Sequence, residues 1–110
     1  MNLENFLSPD RKIWCHIVTD GTEDDVFCAN KSPVGLARLN RNGALAFCNG
    51  TSGDICFQNW DSSAPVLRYG QQSELNGFRC VSERKGITCT LIQSGKGFLI
   101  NRDGVSRIGP

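Results

Sequence analysis

Six cysteines in a chain of 110 residues constrain the fold more than any other feature of this sequence. An even number of cysteines in a short chain favours a disulfide framework. Structural zinc sites usually take their ligands in close Cys-x-x-Cys pairs, whereas no two of these cysteines are closer than eight positions. We therefore expect no metal, and disulfides formed by Cys15, Cys28, Cys48, Cys56, Cys80 and Cys89.

The cysteines also indicate a compartment, because disulfides persist outside the cytosol and are rare within it. Met1 and the polar residues that follow it contain no apolar core of a signal peptide, so we expect a mature form without its leader. No apolar run approaches the roughly 18 residues that a membrane-spanning helix needs. We expect a secreted or extracytoplasmic protein with no membrane span.

Length and charge limit the domain organisation and the partners. A chain of 110 residues corresponds to a single domain, here residues 1–110. Its 12 basic and 11 acidic residues nearly cancel, so no broad positive field favours nucleic acid. The segment Ser94-Gly95-Lys96-Gly97 lacks the other residues of a phosphate-binding loop. We expect no nucleic-acid partner and no cofactor.

Turn residues recur along the chain, and no window shows a sustained helical spacing of apolar residues. This pattern predicts an all-β fold, a small antiparallel sandwich or barrel built of hairpins and stapled by disulfides. The β-prone runs between the turns are residues 12–19, 25–29, 34–40, 44–48, 54–58, 65–69, 78–82, 87–93, 97–101 and 105–108.

Four hairpins are visible in the sequence. Asn42-Gly43 and Asp103-Gly104 supply the positive φ angles of tight turns in two of them. The other two carry cysteines on both arms, and a further cysteine pair flanks a polar loop. A sequential pairing needs only local closure and is the one we favour, while other pairings stay open. It joins Cys15 to Cys28, Cys48 to Cys56, and Cys80 to Cys89.

Catalytic and calcium-binding patterns are weak. His16 is the only histidine, so any nucleophile that needs an imidazole base must use it, and we interpret it as a packed strand residue. The acidic loop Asp20–Asp25 offers oxygen ligands for Ca²⁺ but lacks the spaced pattern of a calcium loop. We interpret the loop as a solvated turn, with calcium left open, and we expect no enzyme activity.

A partner surface is the remaining candidate site. Basic residues concentrate in the last third of the chain, where strand alternation could gather some of them on one face. The aromatic side chains of Trp60 and Tyr69 could serve as anchors beside them, and Trp60, in the longest loop-like stretch, is the better candidate. The residues that we assign to this surface are Trp60, Tyr69, Arg79, Arg84, Lys85 and Lys96, with Arg102 and Arg107 in the same basic set.

Several segments carry a resemblance to a known kind of domain. They are Phe6-Leu7-Ser8-Pro9-Asp10, Ile13-Trp14-Cys15, Val26-Phe27-Cys28, Ala46-Phe47-Cys48, Leu67-Arg68-Tyr69-Gly70, Gly77-Phe78-Arg79-Cys80, Gly86-Ile87-Thr88-Cys89 and Gly95-Lys96-Gly97-Phe98. Together they resemble uncharacterised small secreted and lipoprotein domains of actinobacteria, which also form the extracellular part of some Ser/Thr kinases.

The resemblance implies an extracytoplasmic, all-β, disulfide-bonded domain, and it brings no known activity and no catalytic residues. Members of that group often carry another cysteine between the second and third matched ones. This chain has Cys56 instead, so the middle bridge departs from the group's pattern. We expect a non-enzymatic binding domain of the bacterial envelope, with a protein or an envelope glycan as partner. The alternative is an inhibitor of a secreted hydrolase, such as a lysozyme or a protease.

Overall fold

Ten β-strands form two five-stranded antiparallel sheets in the computed structural model, which describes residues 2–18, 24–31, 34–49 and 62–109. The first sheet has the order β1 (Asn5–Leu7), β2 (Ile13–Ile17), β3 (Asp25–Lys31), β4 (Val34–Asn40) and β5 (Leu45–Asn49). The second sheet contains β6 (Gln72–Leu75), β7 (Phe78–Glu83), β8 (Gly86–Leu91), β9 (Gly97–Asn101) and β10 (Gly104–Ile108). The all-β prediction is confirmed, in its sandwich form.

The core lies between the two sheets because the strands alternate buried and partly exposed side chains. In β8, for example, Ile87, Cys89 and Leu91 point inward, and the residues between them are partly exposed. This period of two is what a sheet with one buried face requires. Among the described residues, three phenylalanines, Phe6, Phe78 and Phe98, are the largest side chains with no exposed surface.

All four hairpins that the sequence predicts are present, as β2–β3, β4–β5, β7–β8 and β9–β10. Among the hairpins that the sequence does not predict, β6–β7 closes through Asn76 and Gly77, both with positive φ. That geometry is the one that Asn-Gly favours in two-residue hairpin turns. The strands β1 and β6 were absent from the sequence-based prediction.

The predicted strand at 65–69 is wrong. This segment forms an isolated parallel bridge, in which Leu7 N–H donates to Pro65 O at 2.8 Å and Leu67 N–H donates to Leu7 O at 2.9 Å. Leu67 is fully buried, so the apolar character of the segment reflects the packing of this side chain into the core beside β1. The predicted strand at 54–58 lies outside the described residues.

Two of the predicted disulfides are present, and both lie in the core. Cys15–Cys28 joins β2 to β3, and Cys80–Cys89 joins β7 to β8. In each case the two cysteines are direct cross-strand partners. The third predicted pair, Cys48–Cys56, falls outside the residues whose side chains the structure describes.

The two sheets share one structural plan. In each sheet the disulfide joins the second strand to the third. The third-strand cysteine is followed, twelve residues later, by Asn-Arg-Asn-Gly at residues 40–43 in the first sheet and by Asn-Arg-Asp-Gly at residues 101–104 in the second. The sheets pack so that Cys28 Sγ and Cys89 Sγ lie 3.7 Å apart. Sites at corresponding turns can therefore be compared within one molecule.

Candidate functional site

A cleft of about 470 Å³ opens at the end of the sandwich where the β7–β8 and β9–β10 turns lie. We call it the Tyr69 cleft. Its walls come from the β1–β2 loop, from turn residues 83–86 and from turn residues 101–103, with Tyr69 and Asn30 between them. Both sheets contribute, so the cleft exists only because the two sheets pack together.

The β1–β2 loop is held in place by a side-chain network around Asp10. Ser8 Oγ donates to Asp10 Oδ1 at 2.7 Å, and the Lys12 backbone N–H donates to the same oxygen at 3.0 Å. The hydroxyl of Ser8 also accepts a hydrogen bond from Ile13 N–H at 3.1 Å. Partial burial acts to raise the pKa of Asp10, but the hydrogen bonds from Ser8 and Lys12 and the Lys12 charge outweigh it, so the pKa is lowered. Asp10 thus stays ionised at the rim of the cleft.

The floor of the cleft is a chain of amide hydrogen bonds that links the two sheets. Asn30, buried at the end of β3, donates from Nδ2 to the Asn101 carbonyl at 2.6 Å. Asn101 in turn donates from Nδ2 to the Lys85 carbonyl at 2.8 Å and accepts Asp103 N–H on Oδ1 at 2.9 Å. These bonds fix the two turns relative to each other and to the first sheet.

Close contact between those two turns depends on Gly86. Its φ is +136°, in the region that favours glycine, and a Cβ there would overlap the Ile100 carbonyl oxygen. It would also lie 2.8 Å from Asn101 Cβ. The glycine at this position therefore lets the β7–β8 turn approach β9 and form one wall of the cleft.

Tyr69 and Arg84 form an exposed stacked pair at the mouth of the cleft. The Arg84 guanidinium lies 5.2 Å from the centre of the Tyr69 ring, and Tyr69 is 45% exposed. A cation over a ring face at this distance is an attractive cation–π arrangement. The tyrosine segment is anchored to β7, because Gly70 N–H donates to Ser82 O and Ser82 N–H donates to Gln71 O. The pair thus presents an aromatic surface and a positive charge from a fixed backbone.

The structure separates the partner surface that the sequence predicts into three places. Tyr69, Arg84 and Lys85 all line the Tyr69 cleft. Arg79 lies on β7, where its Nε pairs with Glu74 Oε2 on β6. Lys96 lies at the opposite end of β8, and Trp60 falls outside the described residues. The surface predicted as one patch is therefore assembled only in part.

The cleft also contains residues that sequence reasoning did not assign to it. Lys12 comes from the β1–β2 loop and Asn30 from β3, and no local pattern indicates that they meet the C-terminal turns. Arg102 belongs to the basic set in the sequence but lies outside the predicted surface. Its position in the repeated Asn-Arg-(Asn/Asp)-Gly turn was the available signal.

A second cleft, of about 370 Å³, lies at the opposite end of β8 and is lined in part by Arg41, Gly77, Ile92 and Lys96. We call it the Lys96 cleft. It uses the corresponding turn of the first sheet, since Arg41 stands in residues 40–43 where Arg102 stands in residues 101–104. The two clefts are thus built from matching turns of the two sheets.

The surroundings of the only histidine are now defined. His16 lies on β2, with Nε2 3.8 Å from Glu4 Oε1. Its ring makes an edge contact with Phe27, at 5.6 Å between centroids, and a tilted contact with Trp14 at 5.8 Å. The imidazole is thus held against two aromatic side chains on the first sheet.

Among the described residues, the end of the acidic loop and a cluster of core sulfurs are places where a metal could be sought. Residues 19–23 lie outside the described part of the chain. The Asp24 carboxylate lies 3.1 Å from Arg41 Nε, and the buried Asp25 carboxylate lies 3.5 Å from Arg38 Nε. Both described carboxylates of the loop are therefore in contact with arginines.

Three core sulfurs, those of Cys15, Cys28 and Cys89, lie within 4.8 Å of one another. All three belong to disulfides. Metal sites take cysteine as the thiolate, so the oxidised cluster offers no such ligand.

No protein-family model, no curated protein and no solved structure matches this chain. Within the part of the chain that the structure describes, there is no helix with the length and apolar character needed to cross a membrane.

Proposed function

We propose that this chain is a non-enzymatic, extracytoplasmic binding domain of the bacterial envelope and that its ligand occupies the Tyr69 cleft. The observation that carries the proposal is the exposed Tyr69–Arg84 pair over a cleft whose floor is fixed by amide hydrogen bonds. Clefts with a few fixed polar groups and an aromatic surface are the usual places for ligand binding. Fixed groups lose little conformational entropy when the ligand binds.

Two further observations support the extracytoplasmic part of the proposal. Two disulfides lie in the core of the sandwich, and disulfides of this kind persist in oxidising compartments. The resemblance to small secreted and lipoprotein domains of actinobacteria indicates the same location.

The test is affinity capture from an actinobacterial envelope extract with the disulfide-intact domain immobilised. We expect the domain to retain a protein or a glycan, and we expect Tyr69→Ala to abolish the retention. The matched control is Phe47→Ala, which removes an aromatic side chain of similar exposure, 46%, outside the Tyr69 cleft. Retention of nothing specific, or equal retention by the Tyr69→Ala domain, would contradict the proposal.

A second candidate function is inhibition of a secreted hydrolase. It is favoured by the tip of the β7–β8 hairpin, where Arg84 and Lys85 are exposed and the arms are closed by the Cys80–Cys89 bridge. A rigid, exposed basic tip suits insertion into an acidic enzyme cleft. Assays against a panel of lysozymes and proteases test it, and uninhibited rates across the panel would exclude those enzymes as targets.

A further inference from the structure

The two matching turns place one arginine each at the two ends of the sandwich, and the two arginines differ in their partners. In the Lys96 cleft, Arg41 Nε lies 3.1 Å from Asp24 Oδ2. Its Nη2 donates to the carbonyl and to the side-chain oxygen of Asn76, at 2.8 and 2.6 Å. Arg41 therefore ties the turn to the neighbouring hairpin. Among the described residues, Arg102 makes no hydrogen bond and no ion pair, and it is exposed in the Tyr69 cleft.

The charged groups that share the cleft with Arg102 differ in whether they have a partner. Lys85 Nζ lies 3.8 Å from Glu83 Oε1, and the Asp10 carboxylate is held by Ser8 and by the backbone of Lys12. Arg84 stacks on Tyr69 and, in the described part of the chain, has no carboxylate partner. Two guanidinium groups without a carboxylate thus line one cleft. A guanidinium presents parallel N–H donors that match a carboxylate in a bidentate geometry.

The cleft also contains hydrogen-bond acceptors and a ring face. The Asp103 carboxylate makes no side-chain hydrogen bond within the described residues, and Asp10 lies at the rim. Such acceptors suit a ligand rich in hydroxyl donors, and they repel a densely charged polyanion. The Tyr69 ring offers an apolar surface for the ligand. A ligand that meets these requirements has few carboxylates, many hydroxyls and an apolar face that packs on Tyr69. An acidic sugar has all three.

We infer that the Tyr69 cleft binds a glycan that carries carboxylate groups, with Arg102 and Arg84 binding the carboxylate and Tyr69 packing against a sugar ring. This inference rests on the proposed function, because it names the class of ligand for the same cleft. The matching turn of the first sheet provides an internal control, since Arg41 has the same sequence context and a structural role.

The experiment is isothermal titration of the disulfide-intact protein with a galactose oligosaccharide that carries one galacturonate residue, and with the methyl ester of the same oligosaccharide, which has no charge. We expect the acid form to bind, with about tenfold or greater preference over the ester, because a charge-assisted bidentate contact is lost in the ester. Arg102→Gln lowers the affinity for the acid form by about tenfold or more and leaves the melting temperature unchanged. Binding of the acid form weakens as salt is raised.

Two control variants separate binding from folding. Arg41→Gln leaves the affinity for the acid form unchanged and lowers the melting temperature, because it breaks the contacts to Asp24 and Asn76. Lys96→Gln, an exposed cation in the other cleft, leaves the affinity unchanged and serves where the Arg41 variant does not fold.

Equal affinity of the wild-type protein and Arg102→Gln overturns the inference, as does equal binding of acid and ester. Absence of any binding to the acid form overturns it as well. If envelope capture still depends on Tyr69 in that case, the class of ligand is wrong and the proposed function stands. If envelope capture also fails, both are wrong.

Discussion

Removal of the Cys80–Cys89 bridge is the perturbation with the best-defined magnitude. The bridge closes a segment with a sequence separation of 9, and Cys15–Cys28 closes one of 13. Loop-closure entropy gives about 2.6 kcal/mol for the first and about 2.9 kcal/mol for the second. Both cysteines of each bridge are fully buried, so replacement by alanine also removes packing. We expect the Cys80→Ala, Cys89→Ala double variant to lose about 3 kcal/mol or more of a net stability that is typically about 5–15 kcal/mol.

Urea unfolding followed by tryptophan fluorescence measures this loss. With a slope of about 1–3 kcal/mol/M for a small domain, the midpoint falls by about 1–3 M. The matched control is Arg79→Ala with Thr90→Ala, a partly exposed cross-strand pair on the same two strands. We expect the control to cost about 1 kcal/mol or less, since exposed ion pairs contribute little.

A bridge variant that unfolds at the same urea concentration as the wild type, with an unchanged slope, would refute the reasoning. The contact between Cys28 Sγ and Cys89 Sγ, 3.7 Å apart, adds a second check. Because the two bridges touch, removal of both should differ from the sum of the separate losses.

Three further predictions concern single residues. Gly97→Ala should lower the free energy of unfolding by about 3 kcal/mol or more in chemical unfolding, because its Cβ would overlap the Cys89 carbonyl. The control Gly95→Ala, whose Cβ meets open space at φ +77°, should lower it by only about 1–2 kcal/mol. Equal losses in the two variants would contradict the geometry. Ser82→Ala should leave the melting temperature unchanged or raise it, because the buried Ser82 Oγ has no hydrogen-bond partner among the described residues. A clear fall in the melting temperature would contradict this prediction. The pKa of Asp10 is lowered in the fold, so the ionised Asp10 stabilises the protein above about pH 4, and this stabilisation disappears as the pH falls through the lowered pKa. Thermal melts should show that the difference in melting temperature between the wild type and Asp10→Asn shrinks on acidification. A difference that stays constant with pH would contradict the prediction.

Local turn chemistry explains why much of the fold is predictable from the sequence. Asn42-Gly43 and Asp103-Gly104 determine where two hairpins reverse, and the observed φ values of Gly43 and Gly104 are +89° and +119°. The cysteine pairs at 15–28 and 80–89 follow from the same hairpins, because cross-strand partners are brought together by the turn. These features depend only on residues close together in the chain.

Features that depend on distant contacts are not predictable in this way. The strand β1 has three residues, and β6 has the polar sequence Gln-Ser-Glu-Leu, so neither shows the apolar alternation of a strand. Residues 65–69 are apolar enough to suggest a strand, but they form only an isolated bridge to β1, and Leu67 is the residue of this segment that is buried.

In the candidate site, too, some residues are brought together by the local sequence and others only by distant contacts. Arg84 and Lys85 share a turn, and their common position follows from the sequence. The approach of Lys12 and Asn30 to that turn depends on how the two sheets pack. Charge groups Lys96 with Arg84 in the sequence, but β8 separates them in the structure, because consecutive turns of a meander lie at opposite ends of the sheet.

Neither described disulfide joins the two sheets, since each bridge closes within one hairpin of its own sheet. The covalent constraints therefore stiffen each half separately. The halves adhere through core side chains and through side-chain hydrogen bonds, among them Asn30 to Asn101, Arg41 to Asn76 and Ser73 to the Leu3 carbonyl. The described side-chain contacts across the plane between the sheets are therefore all non-covalent. Separation of the two sheets would yield two bridge-closed meanders and would dismantle the Tyr69 cleft. Ligand binding and the association of the two sheets are therefore thermodynamically linked. A ligand that contacts both sheets stabilises their association, which no described bridge secures.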